Sequence, residues 1–540
     1  MKRLIPIIVT TMCLLLGYYF GTRNALIEVV EKQTLVLRDN KINEVLSIMD
    51  GMYVDTLDID SIIEKSIPKL LTELDPHSVY IPIEEVEETN SELESSFSGI
   101  GIRFTIQEDT INISDVIRNG PSEKVGLLAG DRIIKVNDTL FVGKGVCTND
   151  KAMKKLKGPQ GSFVKISVQR YGEEDLLDFI IRRDQIPVES IEAYYLLNDK
   201  WAYIKVDRFA ENTFAEFIRA MVEMAYSNAQ GFIIDLRGNG GGYMGIALEM
   251  ANQFLDEDDI IVYTEGANSP KVIERANGHG VFKEVPLVVL VDETSASASE
   301  IIAGTIQDND RGTIIGRRSF GKGLVQQPIT LSDSSMVRLT IARYHTPSGR
   351  CIQKPYSKGN REEYDMDLID RYNRGEYFSQ DSIHQNEELI YKTKKGRTVY
   401  GGGGIMPDIF VSSDTTDVTT YLNELFLRGL ISQFTLKYSN NNRHKLSGYK
   451  SYETLTAHLE TLQLLDTFVK FAAEKGVTAN DDELEKSREL LKRSLYSNIT
   501  YQLLGMCEHV KFINQSDPTV LKAIEVLENG EAFPLEKEEQ

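Results

Sequence analysis

The spacing of apolar and polar positions divides this chain into blocks of different period. Over residues 24–95 the apolar positions recur at helical spacing, with Leu35, Ile42, Val45, Leu46, Ile48 and Met49, then Ile62, Ile63, Ile67, Leu70, Leu71 and Leu74. From about residue 96 the period falls towards two. Strands are predicted over residues 101–106, 110–117, 132–137, 165–170 and 176–181, with a turn at Gly130-Asp131. From residue 201 onward the two periods alternate. Strands over 201–206, 231–237, 286–291 and 313–316 are interleaved with helices over 213–228, 243–255 and 299–308, which is the pattern of an α/β core. Residues 416–528 return to helical spacing, Leu422, Leu425, Leu427 and Leu430 among them, and the chain closes on an acidic tail.

The fold class expected is therefore multidomain, α/β plus β. Its expected parts are an N-terminal segment over 1–23, a helical region over 24–95, a β-rich module over 96–185, an α/β core over 186–415 and a helical extension over 416–540. A polar stretch over 357–395 interrupts the core. At 540 residues the chain exceeds what one hydrophobic core sustains, consistent with three or so domains.

Residues 4–20 form an apolar run behind Met1-Lys2-Arg3. As a helix the run spans roughly 25 Å, slightly less than a hydrocarbon core of about 30 Å. No small-x-small cleavage site follows, so an uncleaved membrane anchor is expected, with a signal peptide as the alternative and the rest of the chain exported into a bacterial cell envelope. Lys and Arg number 60 against 81 Asp and Glu, a net charge of −21, which argues against a nucleic-acid binder. Cys13, Cys147, Cys351 and Cys507 are scattered without metal-ligand spacing, so no metal and no cofactor are expected.

The chemistry concentrates in residues 292–327. A run of small residues, Ser295-Ala296-Ser297-Ala298-Ser299-Glu300, is followed by Gly321-Lys322-Gly323, with no histidine between them. A serine hydroxyl needs a neighbouring base and unhindered access, and a lysine serves as base only where burial lowers its pKa towards neutrality. Two rival motifs lie close by. Residues 316–322 fit GxxxxGK, but Gly323 stands where a phosphate-binding loop needs Ser or Thr. Residues 240–245 fit GxGxxG, but the acidic residue that a dinucleotide site wants after the next strand is missing.

The SASASEI, FGKG and VQQ segments together resemble the carboxy-terminal processing peptidases, serine proteases with a Ser-Lys dyad and a PDZ domain. The resemblance implies Ser297 as nucleophile, Lys322 as base 25 residues on, and Gln326 as the group that orients the base. DLRxNxGG is matched by Asp235, Leu236, Arg237, Asn239, Gly241 and Gly242, which implies an oxyanion hole from the amides of Gly241 and Ala298. Residues 120–127 and 129–133 resemble PDZ signatures, with Gly99-Ile100-Gly101-Ile102 at the place of the carboxylate-binding loop. The implied partners are protein or peptide substrates with free C-termini, together with a membrane through the N-terminal helix. A homo-oligomer stays among the options. His77, in Leu74-Asp75-Pro76-His77-Ser78, is read as a turn residue and His345 as structural, because a dyad needs no imidazole. The alternative function is a non-catalytic PDZ scaffold or chaperone that binds protein C-termini.

Overall fold

The computed structural model describes residues 41–91, 94 and 96–533. The chain divides into two compact units between Leu71 and Thr72. The first contains helix α1, Lys41–Met52, and nearly all of α2, Ile59–Thr72, neither of which buries a residue. Ile42, Val45 and Ile48 of α1 are about half exposed. The expected anchor over residues 1–23 lies outside the described residues, among which no helix is long and apolar enough to cross a membrane.

The second unit opens with strand β1, Val79–Ile81, and helix α3, Ile83–Ser91. The helical reading of 24–95 is corrected here at residues 79–81, which pair antiparallel with Met336–Arg338. The local cause is Pro76 with the turn that Asp75 builds: its Oδ1 accepts from the amides of His77 and Ser78, and its Oδ2 from the Ser78 hydroxyl. A β-branched and aromatic Val-Tyr-Ile then continues as a strand.

The β-rich module begins with β2, Ser96–Gly99, followed by β3, Ile102–Gln107, β4, Thr110–Val116, the short α4, Pro121–Lys124, β5, Arg132–Val136, and β6, Thr139–Leu140. Helix α5, Asn149–Leu156, and strands β7, Phe163–Gln169, β8, Leu177–Arg182, and β9, Asp184–Pro187, complete it. Strands β2 and β9 pair at its neck. The main sheet runs β3-β4-β5-β7-β8, which leaves β3 at an edge. Ala152 and Leu156 of α5 pack with Ile100, Ile111, Ile113 and Ile133 in the module's own core.

The α/β core comprises β10, Ile191–Leu197, β11, Trp201–Val206, α6, Thr213–Tyr226, β12, Gly231–Asp235, α7, Met244–Asn252, β13, Ile260–Gly266, β14, Ser269–Arg275, β15, Leu287–Val291, α8, Ala298–Asp308, β16, Thr313–Gly316, β17, Leu324–Thr330, and β18, Met336–His345. After them come α9, Arg361–Asn373, β19, Ile390–Lys392, β20, Thr398–Tyr400, and β21, Ile409–Phe410. The central sheet has the order β10-β11-β12-β15-β16-β21 and is parallel from β11 onward. Its inner strands are covered on both faces, which is why Leu287-Val288-Val289-Leu290-Val291 is an unbroken apolar run instead of an alternating one. A second sheet, β1-β18-β13-β14 with β17 on β18, is antiparallel.

The helical extension holds α10, Thr420–Leu427, α11, Leu430–Leu446, α12, Tyr452–Glu460, α13, Leu464–Glu474, α14, Asp481–Leu504, α15, Met506–Asn514, and α16, Pro518–Glu528. Helices α10 to α14 close around a core of their own. Helix α16 instead lies on the central sheet, with Val520, Ala523, Ile524 and Leu527 packed against Trp201, Ile233, Val288 and Ile315. The extension is thus part of the core's second covering layer.

Candidate active site

Strand β15 delivers the chain to Asp292, whose Oδ1 accepts the amides of Gly238, Thr294 and Ser295. The serine run is stitched to the loop after β12: Ser295 Oγ donates to Leu236 O over 2.8 Å, Ser299 Oγ to Asn239 O over 2.9 Å, and the Ala296 amide to Asn239 O over 3.0 Å. Ser297 sits between strand and helix with φ 55° and ψ −112°. That conformation costs a non-glycine residue on the order of 1–3 kcal/mol and persists only where its surroundings fix it. A serine on such a strand-to-helix elbow stands clear of the sheet, beside the first amides of the following helix.

Glu300, one turn into α8, fixes the elbow. It is fully buried, and its two oxygens accept four donors: Oε2 takes the amides of Ser297 and Lys322 over 2.9 and 2.8 Å, and Oε1 takes the Gly321 amide over 2.6 Å and the Ser319 hydroxyl over 2.5 Å. Burial pushes its pKa up and the four donors pull it back. A carboxylate has about four lone-pair sites, so all of its acceptor capacity is used. The sequence carries the signal for this clamp in the Ser297-x-x-Glu300 spacing of a capping box.

Lys322 enters from the loop between β16 and β17. Its Nζ donates to Gln326 Oε1 over 3.0 Å, and the Gln326 amide nitrogen donates to the carbonyl of His77. Burial, reinforced by the positive charge of Arg338, holds the Lys322 pKa below the ordinary lysine value. The Tyr344 hydroxyl lies 2.5 Å from Lys322 O and 3.1 Å from Ser297 O, bridging the two segments from β18. Ser297, Lys322, Gln326 and Gly240 to Gly242 line one cavity of about 370 Å³, with Met244, Ile301, Leu324 and Met336 as its apolar wall. The structure thus gathers the three residues expected at the site.

Gly241 lies where expected but is differently engaged. A Cβ on it would come within 2.8 Å of Ser297 Cβ and 3.0 Å of the Ala298 amide nitrogen, and its φ of +103° suits glycine alone. Its own amide, however, donates to Asn239 Oδ1 over 2.8 Å, while Asn239 Nδ2 is anchored on Val206 O. In this conformation the amide expected to supply one of the two oxyanion donors is therefore engaged by a side chain. The Ala298 amide opens α8, where no intrahelical acceptor is available to it.

The phosphate-loop motif lacks the setting that its chemistry needs. Lys322 is followed by strand β17, whereas a phosphate-binding loop opens a helix. Gly242 is used to bring the chain onto the Phe209 backbone, which it bridges in parallel.

In the β-rich module, Ile100 O accepts from the amide and hydroxyl of Ser122, and Gly101 O from the Ile117 amide. Since N–H and C=O of a trans peptide point opposite ways, the amides of Gly101 and Ile102 face away from those partners, towards the open edge of β3. Gly99 pairs with Asp184, and the Ile100 side chain is buried in the module core.

Of the two histidines, His345 stacks on Tyr263 with centroids 4.6 Å apart. The His77 imidazole meets the Tyr364 hydroxyl at 2.9 Å, and burial, then the Lys322 charge, depresses its pKa to about 4. Cys147, Cys351 and Cys507 are free thiols, and among the described residues no group of three or more His, Cys, Asp or Glu is placed to hold a metal ion.

Residues 200–360 match peptidase family S41, residues 98–181 match the PDZ domain, and residues 421–505 match a family of unknown function. A carboxy-terminal-processing protease of Bartonella bacilliformis is 35% identical over 306 residues, covering 56% of this chain and 69% of that one. The chain belongs to the carboxy-terminal processing proteases of family S41. The carboxy-terminal processing protease CtpA of Bacillus subtilis is 29% identical to this protease over 457 residues, 84% of this chain and 91% of the relative. Among solved structures, the photosystem II D1 C-terminal processing protease is 23% identical, covering 69% of this chain and 92% of that one at a TM-score of 0.36. The PDZ domain of a Vibrio cholerae carboxy-terminal protease, solved with a peptide, is 31% identical, covering 17% of this chain and 99% of that one at a TM-score of 0.16. This protease is accordingly a serine peptidase with a PDZ domain, an S41 core and a helical C-terminal region.

Proposed function

We propose that the protein is an endopeptidase that captures the free C-terminus of an exported protein and cuts upstream of it with a Ser297–Lys322 dyad. The observation that carries the reading is the shared cavity of Ser297 and a buried Lys322 whose amine is held by Gln326. The captured tail adds to the open edge of β3, its carboxylate at the amides of Gly101 and Ile102. Neutral Lys322 takes the Ser297 proton as Oγ attacks the peptide carbonyl. The developing oxyanion is met by the Ala298 amide, and the second donor becomes available when the Gly241 peptide leaves Asn239. One such donor contributes roughly 10²–10³ in rate. Protonated Lys322 then gives its proton to the leaving amine, and water, activated by the same lysine, releases the acyl group from Ser297.

The basic start and apolar run of residues 1–20 support an anchored protease that works on the outer side of a bacterial inner membrane. The competing reading, a binding scaffold without catalysis, predicts the same peptide binding. Incubating candidate envelope proteins with the enzyme and with its Ser297→Ala form, followed by mass spectrometry of the products, separates the two. Peptide binding without cleavage is expected for Ser297→Ala, and cleavage at the normal rate by that variant rejects the dyad.

A further inference from the structure

The polar stretch over 357–395 builds a second cavity, of about 440 Å³, behind the loop that carries Lys322. Its charged lining comprises four cations, Arg318, Lys354, Arg371 and Arg374, against two carboxylates, Asp367 and Glu376. Glu376 is shared between Arg318 and Arg374, and Asp367 between Lys354 and Arg371, both over 3.0 Å or less. Two positive charges are left over in a partly desolvated space. Buried charge is normally paired, so an excess of this kind calls for an anion from outside. Arg318 shows the deficit most clearly: its buried Nε has no hydrogen-bond partner, and burial, with Arg371 beside it, weakens its hold on its proton. One wall is the glycine run over residues 401–404, where an added side chain at Gly403 would meet the Arg318 guanidinium at 3.0 Å.

Two of these residues, Arg371 and Lys354, also hold the loop that leads to Lys322. Arg371, almost fully buried, donates to Ser319 O over 2.8 Å and to Phe320 O over 3.0 Å, and the Lys354 amide donates to Gly321 O over 2.9 Å. Three successive carbonyls leading to Lys322 are thereby tied to the cavity wall.

We propose that this cavity binds a compact oxyanion of two or more charges, such as a phosphate or a small polycarboxylate, and that its occupancy sets the position of the loop bearing Lys322. The volume falls within the range of small-molecule sites and leaves room for such an oxyanion together with bound water.

The binding half of the proposal is independent of the dyad and is tested on the Ser297→Ala chain. Calorimetric titration with inorganic phosphate and, separately, with citrate, at ionic strength matched by chloride, is expected to give saturable binding by at least one of them, and the better binder distinguishes the phosphate source from the carboxylate source. Arg374→Gln, a change at a half-exposed side chain, and Arg318→Gln are each expected to weaken it at least about tenfold. Heats equal to those of chloride, or equal binding in both variants, overturn the site. The coupling half rests on the assignment of Lys322 as base. With the intact enzyme, kcat on a test peptide is expected to change severalfold with the anion, and to lose that response in Arg374→Gln while the anion-free rate is kept. Saturable binding with an unchanged kcat supports the site and overturns the coupling.

Discussion

Ser297 and Lys322 donate their backbone amides to one oxygen, Oε2 of Glu300. The proposed nucleophile and base, 25 positions apart in sequence, are therefore fixed to each other through a buried side chain before any substrate arrives. Preorganisation of this kind removes reorganisation from the chemical step.

Glu300→Gln tests that clamp. Glutamine offers one acceptor oxygen and a donating NH2 to a site that presents four donors, so either the Ser297 and Lys322 amides or the Gly321 amide and Ser319 hydroxyl face that NH2. Stability is expected to fall by roughly 2–4 kcal/mol, since each hydrogen bond to a charged group is worth about 1.5–3 kcal/mol and a residual fit is retained. Thermal unfolding reads the loss, and kcat is expected to fall more steeply than KM rises.

Arg338→Gln tests the electrostatics of the base. The active form of Lys322 is the neutral amine, so activity rises with pH through its lowered pKa. Burial supplies the larger part of the lowering and Arg338 the next part. Removing that like charge raises the pKa, moves the rising limb of kcat against pH to more alkaline values, and reduces activity at neutral pH. A limb that stays in place or moves towards acid contradicts Lys322 as the titrating group.

His77 sets an acid limit on stability. Its folded pKa of about 4 lies below the ordinary 6.5, so the unfolded chain binds the extra proton first as pH falls. The contribution is fully present above 6.5, declines as pH drops through the window, and is lost below about 4. A shift of this size corresponds to about 3 kcal/mol. Denaturant titrations of the parent and of His77→Gln between pH 7 and 4 are expected to converge towards the acid end.

Gly241→Ala tests the approach of the glycine loop to the nucleophile. The new methyl meets Ala296 O and Ser297 Cβ at 2.8 Å on a backbone with φ +103°. A stability cost of about 1–3 kcal/mol is expected. Because the PDZ edge is untouched, peptide binding should be retained while kcat falls at least about a hundredfold.

The alternation of apolar and polar residues by itself determined the layered α/β core, the strand-rich module before it and the helices after it, because burial on one face or on both writes a period into the chain. Ser297 and Lys322 were singled out by the resemblance of their segments to the carboxy-terminal processing peptidases, which small neighbours and fixed spacing carry. The same resemblance implied Gln326, but not what holds it: the His77 carbonyl belongs to a turn some 249 positions earlier, brought there by the pairing of β1 with β18. Strand β1 itself was read as helix, since three residues between prolines carry too little periodicity to outweigh their helical neighbours. The engagement of the Gly241 amide, the sharing of Glu300 between two segments and the seating of α16 on the catalytic sheet were decided by tertiary structure alone. Sequence spacing records which side chains an element can bury. It does not record which distant donor will reach a given acceptor, because that choice is made only when packed elements leave each buried polar group a single partner within reach.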